Sequence, residues 1–95
     1  MKDSKSKKMS VFNPNAAGID IGGSSHFVAV PVDRDEKAIQ EFNNFTHNLY
    51  RLADWLQSCH IQTVAMESTG IYWIPLYEIL EERGFEVLLV GSNPY

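Results

Sequence analysis

"TVAMESTGIYW", Thr63 to Trp73, runs an apolar, strand-like segment into a glutamate and follows it at once with a Ser-Thr-Gly turn. A run of Val, Ala and Met between polar turns reads as a buried strand. A carboxylate at its end therefore needs a reason. On a solvated strand Glu67 would serve solubility alone. What decides between the two is whatever the rest of the chain sets beside it.

Upstream, "AGIDI" from Ala17 reads as a short strand, "GGSS" as a turn and "HFVAVPV" as a second strand. "DRDEK" is a charged turn, and "AIQEFNNF" a third strand. Thr46 is placed to cap a helix in which Leu49, Leu52, Ala53 and Leu56 share one face. "IQTVAME" is the fourth strand. Ser68-Thr69-Gly70 then leads into a second helix, with Trp73, Leu76, Tyr77 and Leu80 on one face and Pro75 in the first turn. Gly84 is a natural C′ residue, "FEVLLV" a fifth strand and "GSNPY" a terminal loop. Residues 1–15, polar and punctuated by "NPN", read as a flexible lysine-rich leader, and 16–95 as the folded domain.

The order is β-β-β-α-β-α-β. Short turns predict an antiparallel meander of the first three strands, and helical connections predict right-handed parallel crossovers after it. The result is α/β, a mixed five-stranded sheet of the ribonuclease H-like kind, with the first strand beside the fourth. Asp20 and Glu67 then become neighbours. Two carboxylates brought together in a partly buried place repel, are desolvated and call for a partner, and a hard divalent cation is the natural one. Mg²⁺ takes one or two carboxylates and completes its octahedron with water and phosphate oxygens. Taken singly, Asp20 could bond backbone amides of the "IGG" turn, and Glu67 could cap the following helix.

Composition narrows the classes. The 95 residues are 44% hydrophobic and 12% aromatic, enough for one globular core. No apolar run approaches a membrane span, and the lysines at the start have no hydrophobic stretch behind them. Cys59 is alone, which excludes an internal disulfide and fits a reducing, cytoplasmic setting. Lys2, Lys5, Lys7 and Lys8 supply half of the 8 basic residues, so beyond them the chain of net charge −4 is markedly acidic. No basic patch advertises nucleic-acid contact. His26, His47 and His60 show no ligand spacing, with His26 opening a strand and the other two facing solvent. Cys59-His60 reads as packing at a helix end, Tyr72 and Trp73 as core, and Ser24, Ser25, Ser68 and Thr69 as turn and cap residues.

"GIDIGGSSHFVAV" followed by "AMESTGIYWIPLYEILEERGFEVLLV" resembles the N-terminal domain of the insertion-sequence family 110 transposases, from about Ala17 to Val90. These are DNA recombinases with a RuvC-like, DEDD-type catalytic domain. The resemblance implies that Asp20 and Glu67 are the first two acids of the DEDD set, metal-binding and catalytic. Mg²⁺ would be the cofactor, with Mn²⁺ as a substitute, and DNA the partner. It also implies two later acids in an Asp-x-x-Asp arrangement and a second domain with a catalytic serine; neither occurs in these 95 residues. The expectation is a transposase fragment inactive by itself. In some relatives a structured RNA selects the DNA sites, which the residues here leave open. The chain also reads Val90-Gly91-Ser92-Asn93-Pro94 where the family commonly has Val-Asn-Pro.

With no later helices in the chain, one sheet face is expected to stay bare and apolar, favouring a homo-oligomer. Two rivals stand beside this reading. "GIDIGGSS" also looks like the phosphate-binding hairpin of sugar kinases and actin-like ATPases, and the chain could be a non-catalytic dimerisation remnant.

Overall fold

The structure, a computed structural model, describes residues 13–90. The strands are β1 (Ala16–Ile21), β2 (Ser25–Ala29), β3 (Ile39–Asn43), β4 (Thr63–Glu67) and β5 (Glu86–Val90). The helices are α1 (Thr46–Ser58), between β3 and β4, and α2 (Trp73–Glu82), between β4 and β5. The sheet runs β3-β2-β1-β4-β5, antiparallel through the meander and parallel for β1–β4 and β4–β5. This is the mixed five-stranded α/β sheet read from the sequence, consistent with a ribonuclease H-like fold.

Both crossovers, β3 to β4 and β4 to β5, travel the same way across the sheet. Right-handed connections of that kind place both helices on one face, and burial follows suit. Ile19, Val28, Val64 and Met66 point to the covered side and are buried, against Leu49, Leu52, Ala53 and Leu56 of α1 and Leu76, Ile79 and Leu80 of α2. Burying each such Leu or Val fully stabilises by about 1.5–3 kcal/mol. Alternate residues, Gly18, Asp20, Phe27, Ala29 and Glu67, are exposed on the opposite side. No helix among the described residues is long and apolar enough to cross a membrane.

The helix ends differ from the sequence expectation at one point. The N-cap of α1 is Phe45, with no side-chain cap bond, and Thr46 is already helical. Asn43 organises this start, its Oδ1 accepting from Phe45 N at 3.0 Å and from Asn48 Nδ2 at 2.6 Å. At the other end of α2, Gly84 adopts φ 92°, its N–H bonds Glu81 O at 3.0 Å and Phe85 N bonds Leu80 O at 3.1 Å. That is a Schellman stop. α1 ends the same way, His60 N on Gln57 O at 3.0 Å and Ile61 N on Leu56 O at 3.1 Å, but the left-handed residue is His60, φ 61°. Cys59 beside it is buried, as its reading as packing anticipates, and burial pushes its thiol pKa up.

Asn13–Asn15, assigned above to the leader, are tied to the sheet. Asn15 O accepts from Gln62 N at 2.8 Å and Thr63 N at 3.2 Å, and Asn13 Nδ2 bonds Thr63 Oγ1. Arg34 clamps the same corner, donating to Cys59 O at 2.7 Å and to Asn15 Oδ1. The rest of the leader, with its four lysines, and the terminal "GSNPY" lie outside the described residues.

A left-handed non-glycine residue costs about 1–2 kcal/mol of local strain, partly offset because glycine loses more freedom on folding. His60→Gly is therefore expected to stabilise the domain by up to about 1 kcal/mol, read as a higher urea midpoint. An unchanged or lower midpoint would show that His60 is unstrained at this corner.

Candidate metal centre

Asp20 and Glu67 close their strands. Asp20 is the penultimate residue of β1 and Glu67 the last of β4, and the two are direct partners in the parallel register. Neighbouring strands stand about 4.8 Å apart, and equal parity sends both side chains to the same face. That face is the open one. Across all five strands the row reads Glu41, Phe27, Asp20, Glu67, Val90. The next row inward reads Ile39, Ala29, Gly18, Ala65, Leu88. Small residues in the middle leave a shallow depression of about 360 Å³, with Asp20, Glu67, Phe27 and Val90 on its lining. A β-carbon on Gly18 would meet nothing within 4 Å.

The sequence reading sets the pair in a partly buried, desolvated place. Instead both residues are exposed, because neither helix reaches this side. Water moderates their repulsion, and space remains above them for further ligands. Among the described residues the ion pairs are Arg34–Asp33 and Arg83–Asp54, both away from the site. No third histidine, cysteine or carboxylate among the described residues gathers with the two acids into a ready-made cage. Two adjacent carboxylates open to solvent fit what Mg²⁺ asks of a protein when water and phosphate supply the rest.

The simpler roles for these acids are filled by other groups. α2 begins at Trp73 with Tyr72 as its N-cap, so Glu67 is too far upstream to cap it. Ser68 shapes the intervening turn, its Oγ accepting from Gly70 N at 3.3 Å. In the β1–β2 turn it is His26 that takes the backbone amide. Gly22 N donates to its Nδ1 at 3.2 Å, so the proton sits on Nε2 and is donated to Asn44 Oδ1 at 2.6 Å. Asn44 closes the loop, donating through Nδ2 to Gly23 O and through its backbone N to Ser24 O. At Gly22 a β-carbon would collide with the Ser25 carbonyl oxygen. The Gly22 amide is thus used internally and is not offered to a nucleotide phosphate, which counts against the kinase-type hairpin.

His26 is where sequence reasoning fell short. β2 begins one residue earlier than expected, at Ser25, and His26, its second residue, points to the covered face and is fully buried. Its partners, Gly22 and Asn44, are joined only by the fold. Phe27 beside Asp20, and Glu41 beyond it in the same row, are equally hidden, although strand parity and a correct register would find them. Ser25 Oγ donates to Glu41 Oε2 at 2.7 Å, holding that acid at the sheet edge. His47 and His60 are exposed and apart.

Burial, the larger influence, holds the His26 pKa below its ordinary 6.5, against the upward pull of the bond to Asn44. The neutral ring is the one that fits, since protonation would turn the Nδ1 acceptor into a donor facing the Gly22 N–H. The unfolded chain therefore binds a proton before the folded one does, and stability falls as pH drops below 6.5 toward the lowered folded value. The slope in that window should approach, at most, about 1.4 kcal/mol per pH unit. Urea midpoints between pH 7.5 and 5 are expected to show this loss in the wild type and not in His26→Gln. An equal loss in the variant would assign it to other groups.

Residues 17–94 match the model of a protein family described as "Transposase", the DEDD transposases of IS110 type. No curated protein matches the chain.

Proposed function

This chain belongs to the IS110-type transposases, and we propose that Asp20 and Glu67 are its first two metal ligands, holding Mg²⁺, or Mn²⁺ in its place, for cleavage or transfer of a DNA strand. The observation that carries the proposal is the register: two carboxylates directly opposed at the C-terminal ends of adjacent parallel strands, on the uncovered face. Ligands of open α/β sheets commonly bind at that end. Bound there, a divalent ion would supply Lewis-acid stabilisation of charge on phosphate and leaving oxygens. Asp20 and Glu67 contribute fixed anionic oxygens whose spacing is set by sheet hydrogen bonds. Gly18 and Ala65 keep the approach clear below them, while Phe27 and Val90 flank it.

Two carboxylates are half of a four-acid site. The 95-residue chain is accordingly expected to bind the ion weakly and to leave supercoiled DNA uncut, and the RuvC-like DEDD chemistry belongs to the site once its remaining acids are supplied. Mg²⁺-dependent nicking by the chain, lost in Asp20→Ala, would overturn the inactivity. The apolar row from Ile39 to Leu88 is the reason to propose that two copies pair, the pairing shielding that row. Light scattering at high concentration is expected to give a dimeric mass, and a strictly monomeric one would refute the pairing.

The metal reading is tested by Mn²⁺ titration followed by amide NMR. Broadening is expected to centre on Asp20 and Glu67 together and to weaken at both positions in Glu67→Ala. A folded sample with no focused broadening would refute the metal site.

A further inference from the structure

Tyr72 stands between the loops that follow the two carboxylates. Gly23 comes shortly after Asp20 in the chain, and Gly70 shortly after Glu67. A β-carbon at Gly23 would sit 3.7 Å from Tyr72 Cε2, and one at Gly70 3.8 Å from Cδ2. One edge of the ring is therefore seated against both loops. Neither glycine is needed for a left-handed backbone, which among the described glycines belongs to Gly84. What their missing side chains do is leave the seat clear. The rest of the ring is open: Tyr72 is 53% exposed and Ile71 beside it 73%. Trp73 is different, half-buried and edge-on to Tyr77 with centroids 5.6 Å apart. The sequence pattern assigns both aromatics to the core, and only Trp73 goes there.

On the reading of this chain as DNA-acting, an aromatic held at this position has a specific use. Asp20, Glu67 and Glu41 make the open face acidic, and the whole chain carries −4, so bare phosphate is repelled from it. The flat face of a base carries no such penalty and stacks on an aromatic ring irrespective of sequence. Bases inside a duplex already have both faces covered, so only an unpaired or extruded base can reach the ring. We infer that Tyr72 is a substrate-positioning residue on which an unpaired nucleobase stacks, setting the adjoining phosphate over Asp20 and Glu67. The substrate strand is thus single-stranded or locally opened where it meets the metal pair.

The test is fluorescence anisotropy of labelled oligothymidylate, about ten nucleotides long to suit a typical single-strand site, with Mg²⁺ at low salt. A matched strand carries abasic sites in place of bases. Tyr72→Ala is expected to weaken binding to the thymidylate about tenfold and Tyr72→Trp to retain it. The abasic strand is expected to bind the wild type as weakly as thymidylate binds Tyr72→Ala, and to be indifferent to the substitution. Absence of wild-type binding would overturn the inference and return Ile71 and Tyr72 to a protein contact. No effect of Tyr72→Ala, or an equal loss on the abasic strand, would overturn it as well, the latter because the residue would then only hold the loops. The Mn²⁺ titration separates this from the metal reading. Focused broadening at Asp20 and Glu67 without a base-dependent Tyr72 effect sinks the stacking alone, and the reverse pattern sinks the metal site alone.

Discussion

The parallel pairing of β1 with β4 is the contact on which the rest depends. It joins the meander to the two crossover units, and its register sets Ala17 beside Val64 on the helix side and Asp20 beside Glu67 on the other. A slip by one residue would send every side chain of one strand to the opposite face. Either Ile19 of β1 or Val64 and Met66 of β4, all buried under the helices, would then lose their places, at a cost of about 1.5–3 kcal/mol for each large apolar residue exposed. Core packing therefore holds the carboxylates in register although they take no part in the core. The two acids keep their register because alternate residues of the same strands are buried.

Direction matters as much as register. Because both crossovers move the same way, one face receives two helices and the other none. The bare face keeps its centre low through Gly18, Ala29 and Ala65, and bulky residues, Ile39 and Leu88, stand at its rims. Loops then gather at the end where the acids lie. The β1–β2 turn is fixed by the buried His26 and by Asn44, and the β4–α2 turn by Ser68. Neither bonding scheme uses Asp20 or Glu67, so the two acids stay available while their supporting turns are held.

Much of this was legible in the sequence because the decisive signals are local. Alternation of apolar residues, helical spacing at Leu49, Leu52, Ala53 and Leu56, and the glycine stop at Gly84 each act within a few residues. Connection lengths and crossover handedness suggest a ribonuclease H-like sheet, and that arrangement sets β1 beside β4 and Asp20 beside Glu67. The rest depended on contacts between distant residues. Nothing near His26 in the chain signals Asn44 as its partner, and nothing near Arg34 signals Cys59 and Asn15. Thr46 looked like a cap because threonine is a good one, but the helix begins one residue earlier than that role needs. The exposure of the acid pair has a related cause: both helices pack on one face of the sheet, and no local signal near Asp20 or Glu67 announces which face that is. Tyr72 and Trp73 are chemically alike neighbours, and the turn preceding α2 sends one outward and one inward.

The geometry also constrains what can complete the site. β5 runs parallel to β4 and ends at Val90, in the same row as Asp20 and Glu67. The described part of β5 thus reaches the level of the acids, while the depression on the open face lies just inward of them. Further ligands need not cross the sheet or displace a helix. An element laid over Gly18 and Ala65 could bring carboxylates to the pair and at the same time bury the apolar row from Ile39 to Leu88. On the proposed metal reading, covering that row and completing the ligand set of the pair would be one structural event. That coupling would give two exposed acids, with no buried partner of their own, a reason to sit at the end of otherwise apolar strands.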